Sequence, residues 1–89
     1  METVNLLIKG KVQGVFYRAS ARDKAVELGI TGWVKNTQDG NVEIVASGGK
    51  ESLKEFIEWC HEGPSRAKVT AVTVTEMVTN NFPGFQILK

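Results

Sequence analysis

Eighty-nine residues are enough to enclose one hydrophobic core and too few for two. The make-up is that of an ordinary globular chain, 42% hydrophobic and 24% charged, and no apolar run approaches the roughly 18 residues of a membrane-spanning helix. Eleven basic residues against ten acidic ones leave a formal charge of +1, without the basic excess that marks a nucleic-acid binder.

Met1-Glu2-Thr3 passes straight into a strand-like pattern, with no basic and apolar regions of a signal peptide, so a cytoplasmic protein is expected. Val4, Leu6 and Ile8 alternate with Asn5 and Lys9, which predicts a first strand with one buried face. Leu7 interrupts the polar side, so the second face is expected to be partly covered. After a glycine-bounded segment, Tyr17, Ala21, Ala25 and Leu28 fall at helical spacing, with Arg22, Asp23, Lys24 and Glu27 for the wet side. Gly29 is a natural helix stop. Ile30 to Lys35 reads as a second strand, Asp39-Gly40 as a hairpin turn, and Val42, Ile44 and Ala46 as a third strand. Leu53, Phe56, Ile57 and Cys60 recur at i, i+3, i+4 and i+7 in a second helix closed by Gly63-Pro64. Val69 to Val78 predicts a fourth strand whose apolar phase shifts between Val69 and Val72, the sign of a bulge or a twist. A short last strand, Phe85 to Leu88, follows the turn Asn80-Asn81-Phe82-Pro83-Gly84.

Strand, helix, strand, strand, helix, strand is the split βαβ order. It predicts an α+β, ferredoxin-like fold, with an antiparallel sheet and both helices on one face. That fold serves many unrelated functions, so activity has to be sought in particular residues.

The stretch Gly10-Lys11-Val12-Gln13-Gly14-Val15-Phe16-Tyr17-Arg18 joins the first strand to the first helix. A helix begun near Arg18 leaves its first backbone N–H groups without intrahelical acceptors. Glycines at 10 and 14 allow the loop to close and turn further N–H groups inward. The result is a concave donor surface suited to a phosphate-sized anion, with the planar fork of Arg18 at its rim. It is neither a Walker loop nor a dinucleotide fingerprint, since the residues those require are missing. With the usual right-handed crossover, the first two strands run parallel and their C-terminal ends share one sheet edge. Asn36, at the end of the second strand, is thereby expected beside the loop.

Two longer patterns carry a resemblance. Gly10-x-Val12-Gln13-Gly14-Val15-x-Tyr17-Arg18 is similar to the first acylphosphatase signature. Gly32-Trp33-Val34-Lys35-Asn36-x-x-x-Gly40-x-Val42, with Gly48 beyond it, is similar to the second. Length and element order agree with that family along the whole chain, one domain over residues 1–89. The family often has glycine and phenylalanine where this chain has Phe16 and Tyr17, so Phe16 adds bulk beside the cradle. The resemblance implies hydrolysis of acyl phosphates to a carboxylate and inorganic phosphate, without metal, cofactor or phosphoenzyme. It assigns phosphate binding to the amides of Gln13, Gly14, Val15, Phe16, Tyr17 and Arg18 and to the Arg18 guanidinium, and water positioning to Asn36. The expected partner is the small-molecule substrate alone, for a monomer that engages neither nucleic acid nor membrane.

The remaining candidates have simpler explanations. Cys60, the only cysteine, lies on the apolar stripe and excludes an intrachain disulfide. His61 reads as a surface or helix-end cation. Gly48-Gly49-Lys50 imitates a phosphate loop but should lie at the opposite sheet edge, and Asp39 reads as turn chemistry. Trp33 and Trp59 are expected to be partly exposed packing residues. An RNA-binding module with the same strand order would carry aromatics on strands one and three, where this chain has valine, leucine and isoleucine. A non-catalytic regulatory or anion-binding module is the other alternative.

Overall fold

Alternation along β1 (Glu2–Lys11) turns Val4, Leu6 and Ile8 to one side, and all three are buried. In the computed structural model, which describes residues 1–88, this strand is followed by α1 (Tyr17–Glu27), β2 (Thr31–Asn36), β3 (Val42–Gly48), α2 (Lys50–Glu62), β4 (Lys68–Met77) and β5 (Phe85–Ile87). The sheet order is β4-β1-β3-β2-β5. β3 runs antiparallel to both β1 and β2, so those two strands point the same way on either side of it. β4 covers the other edge of β1, also antiparallel.

The sheet is mixed, not purely antiparallel as expected, because β5 pairs parallel with β2. β4 ends at one edge of the sheet, and residues 78–84 carry the chain across to the other. This connection passes over the face away from the helices, where Thr3 and Ser47 are buried beneath it. Their hydroxyls bond to each other; Ser47 Oγ donates to the Asn80 carbonyl at 2.8 Å, and the Asn80 N–H donates to Thr3 Oγ1 at 3.0 Å. The strap's backbone is thus satisfied by side chains where no strand partner exists.

Both helices lie on the same face, α1 over β2 and β5, α2 over β1, β3 and β4. Tyr17, Ala21 and Ala25 of α1 and Leu53, Phe56 and Cys60 of α2 close on Leu6, Ile8, Val34, Val42 and Ile44. Among the described residues no helix is long and apolar enough to cross a membrane. The bulge signalled by the valine phase falls at Thr70, since Lys9 faces Ala71 while Gly10 faces Val69. Gly10 has φ 131°, and a Cβ there would run into the Lys68 carbonyl oxygen, so the pairing needs glycine at this point.

Cys60 is fully buried, and burial pushes its thiol up to about 12, which leaves it protonated and unreactive. His61 is exposed, and Trp33 and Trp59 are half-buried. Trp59 packs at 5.5 Å from the Tyr17 ring and 6.2 Å from the Phe56 ring. Tyr17 is the keystone between the helices. Its hydroxyl donates at 2.8 Å to the Cys60 carbonyl, one of the last four of α2, which have no partner within the helix. Burial raises the Tyr17 hydroxyl far above its ordinary value, so it remains a donor at any working pH. Tyr17→Phe leaves that carbonyl without its donor and is expected to cost about 1–2 kcal/mol, a fall in Tm of roughly 4–15 °C. An unchanged melting curve would show that the bond adds nothing to stability.

Candidate active site

Register places the ends of two strands side by side. Ile8 faces Val42, and Val42 faces Asn36, so the end of β2 lies two strand spacings, about 10 Å, from β1. β1 continues only to Lys11 before the chain turns into the loop 12–16. Gln13 then fastens this loop to the β2–β3 hairpin. Its Nε2 donates to the Thr37 carbonyl at 2.9 Å and to the Asn41 carbonyl at 2.8 Å. The hairpin is itself braced, with the Thr37 N–H donating to the Asn41 carbonyl at 2.9 Å and the Asn41 N–H to Thr37 Oγ1 at 3.1 Å. The Thr37 hydroxyl also donates to the Asp39 carboxylate, which favours the ionised form and lowers its pKa. Asp39 is exposed at the turn, in keeping with its reading as turn chemistry.

The loop reaches α1 through Gly14, at φ 73°, and Phe16, at φ 63° and ψ 22°. Phe16 is the residue before the helix, and a phenyl group has no atom that accepts a hydrogen bond from the first turn. A serine, aspartate or asparagine there would use one of those N–H groups itself. The first helical bond runs from the Ser20 N–H to the Phe16 carbonyl at 3.0 Å, and no acidic residue lies in the first turn. The amides of Tyr17, Arg18 and Ala19 therefore have no acceptor within the helix, and the positive end of its dipole stands behind them.

A cavity of about 320 Å³ opens at this corner, bounded by loop residues Val12, Gly14 and Phe16, by the start of α1, by Asn36, and by Ile87 of β5. Arg18 is half-buried on its wall, and its Nη1 donates to the Leu88 carbonyl at 3.2 Å. That contact uses one of the five guanidinium donors and fixes where the others point. Asn36 shares the wall. Its Oδ1 is buried and has no hydrogen-bond partner among the described residues. A half-turn about χ2 exchanges its oxygen and nitrogen, so this amide can present either an acceptor or a donor to the cavity.

Free amides at the start of α1, an arginine and an unpaired carboxamide bordering one cavity suit a small anion with a polar neighbour. Comparison with known proteins agrees: the family model described as Acylphosphatase matches residues 4–87. The chain belongs to the acylphosphatase family. It is 57% identical over 83 residues to an acylphosphatase of Marinobacter nauticus, covering 92% of this chain and 90% of that one. It is 52% identical over 90 residues to one of Methylococcus capsulatus, covering 100% and 98%. A crystal structure of acylphosphatase from Bacillus subtilis matches with TM-score 0.97 at 36% identity, with 100% of both chains covered. The chain is accordingly an enzyme that hydrolyses acyl phosphates, taking a small-molecule substrate and releasing a carboxylate and inorganic phosphate.

Within this acylphosphatase fold, Arg18 and Asn36 come together as expected, and Gly14, Phe16 and Tyr17 also border the cavity. Gln13 and Val15 do not. The Gln13 side chain turns to the hairpin, Val15 is buried in the core, and the Tyr17 hydroxyl points to Cys60. For these three residues only the backbone is left to meet a ligand. The glycine pair before α2 lies at the far edge, since Gly48 faces Glu2 at the start of β1. Ile87 and the Leu88 carbonyl were not foreseen, because nothing local tells β5 which strand to join. The Gln13 clamp was missed too, its only signal being a polar side chain between two buried valines.

Because Gln13 ties the loop to the strand end that carries Asn36, Gln13→Leu is expected to lower kcat roughly ten- to hundredfold while KM changes little. Steady-state kinetics on an acyl phosphate tests this. A pure rise in KM would mean that Gln13 serves binding alone.

Proposed function

We propose that the amides of residues 13–18 and the Arg18 guanidinium hold the phosphoryl group, and that Asn36 orients the water that attacks it. The observation that carries this reading is the buried, unpartnered Oδ1 of Asn36 on the same cavity wall as Arg18. An arginine suits the anion, whereas a neutral carboxamide suits a water molecule, which both donates and accepts.

The chemistry asks for little more. The water oxygen bonds to phosphorus, the bond from phosphorus to the acyl oxygen breaks, and the electron pair leaves with the carboxylate. The conjugate acid of that leaving group has a pKa of roughly 4–5, so no protein acid has to protonate it. Charge on the transferring phosphoryl oxygens is met by fixed dipoles and the guanidinium. Asn36 cannot take the water's proton, because an amide is no base at neutral pH. A phosphoryl oxygen of the substrate accepts it, which yields inorganic phosphate directly and requires neither metal nor phosphoenzyme.

The reading extends to a single domain over residues 1–89, of which Lys89 lies outside the described residues, acting as a cytoplasmic monomer without nucleic acid. The open sheet face supports the last point. Asn5 and Leu7 of β1 and Glu43 and Val45 of β3 occupy the central strands where an RNA-binding sheet would stack bases on aromatics.

Arg18→Ala is expected to lower kcat/KM on benzoyl phosphate by about 10²–10³-fold and to abolish inhibition by inorganic phosphate, with an unchanged circular dichroism spectrum. Asn36→Ala is expected to lose a similar factor in kcat while phosphate inhibition stays near its normal strength. The opposite pattern would exchange the two roles. Activity after treatment with a chelator is expected to persist, and strict dependence on added metal would overturn the mechanism.

A further inference from the structure

Phosphate binding leaves one part of the cavity wall unexplained. Phe16 is 74% exposed, and it is the one non-glycine residue among those described with a left-handed φ. A residue carrying a Cβ is disfavoured in that conformation, and a phenyl ring facing water returns nothing through burial. Phe16 also fails as a helix cap, since it makes no side-chain bond to the first turn. The ring is therefore costly to the fold and idle in it. Local strain of this kind clusters at ligand sites.

An acyl phosphate has two unlike ends. When its phosphoryl group lies among the amides and Arg18, its acyl group has to rest on the remaining wall. The remaining wall residues include Phe16, Ala19 and Ile87, all apolar, and among the described residues Arg18 is the cavity's only charged side chain. No second cation of the wall stands ready for an acyl group that carries its own carboxylate or phosphate.

We propose that Phe16 is a specificity-determining residue that selects acyl phosphates with a flat apolar acyl group, above all aryl ones, by stacking its exposed ring on that group. The proposal rests on reading this cavity as the acyl phosphate site. Two flat rings gain from offset stacking beyond the apolar area they cover. An acetyl group is too small to cover the ring. Phe16 borders the cavity and keeps its ring exposed and out of the core, so the ring is open to a bound acyl group.

The test compares kcat/KM for benzoyl phosphate and acetyl phosphate in the unaltered protein, Phe16→Ala and Phe16→Tyr. Both substrates use the same phosphate cradle, so any disturbance of the loop amides scales both rates and cancels in the ratio. Alanine keeps the Cβ and its backbone conflict, which isolates the ring. The benzoyl-to-acetyl ratio is expected to fall about three- to tenfold in Phe16→Ala and to stay within about twofold in Phe16→Tyr. A ratio that is unchanged in Phe16→Ala overturns the proposal, as does an equal loss in Phe16→Tyr. Arg18→Ala, measured alongside, is expected to lose both substrates. If it keeps both, the placement of the site fails, and the role of Phe16 fails with it.

Discussion

The pairing of β3 with both β1 and β2 is the constraint from which the site follows. With Ile8 against Val42 and Val42 against Asn36, the C-terminal ends of two parallel strands lie at one edge, one strand apart. A slip of one residue in either pairing would turn the buried set of that strand to the open face, so the hydrophobic core protects this register. Leu6, Ile8, Val34, Val42 and Ile44 thus shape a candidate site from within the core. By burying one face of the sheet they decide that Asn36 stands beside the loop that leaves β1.

The second requirement is a helix start that the protein leaves unsatisfied. A side-chain cap can quench a helix's first amides; neither helix here has one, but α2 carries Glu51 in its first turn and α1 has no acidic residue there. Its free donors, the dipole behind them and the arginine one residue into the helix all favour the same small anion. Backbone donors are rigid where the flanking elements are rigid, and here both flanks are fixed. Tyr17 is bonded to α2, and Gln13 is bonded to the hairpin. Such preorganisation spares the ligand the entropy of ordering the loop.

The end of the chain is part of the same arrangement. The strap over Thr3 and Ser47 delivers β5 to the edge of β2, and β5 delivers Ile87 to the cavity and the Leu88 carbonyl to Arg18. An arginine side chain loses much rotamer freedom when it binds, and a carbonyl that restrains it beforehand reduces that loss. Residues distant in sequence from the signature loop therefore help to aim its arginine.

Much of this could be read from the sequence alone. Periodicity located both helices and all the strands, glycines marked the loop, and the two signature stretches named Arg18 and Asn36, because each of these signals is carried by near neighbours in the chain. The valine phase shift even marked the bulge opposite Gly10. Local pattern fell silent where partners are chosen at long range. That β5 lies parallel to β2, that Gln13 turns to Thr37 and Asn41 and not to the ligand, and that Leu88 restrains Arg18 depend on how the elements close on one core. The left-handed backbone of Phe16 was equally hidden, since its residue type argues against it and only the closure of the loop between β1 and α1 imposes it. Local pattern specified the elements and the chemical groups of the candidate site. Tertiary structure decided their aim, because direction is set by packing between elements and not by the order of residues within them.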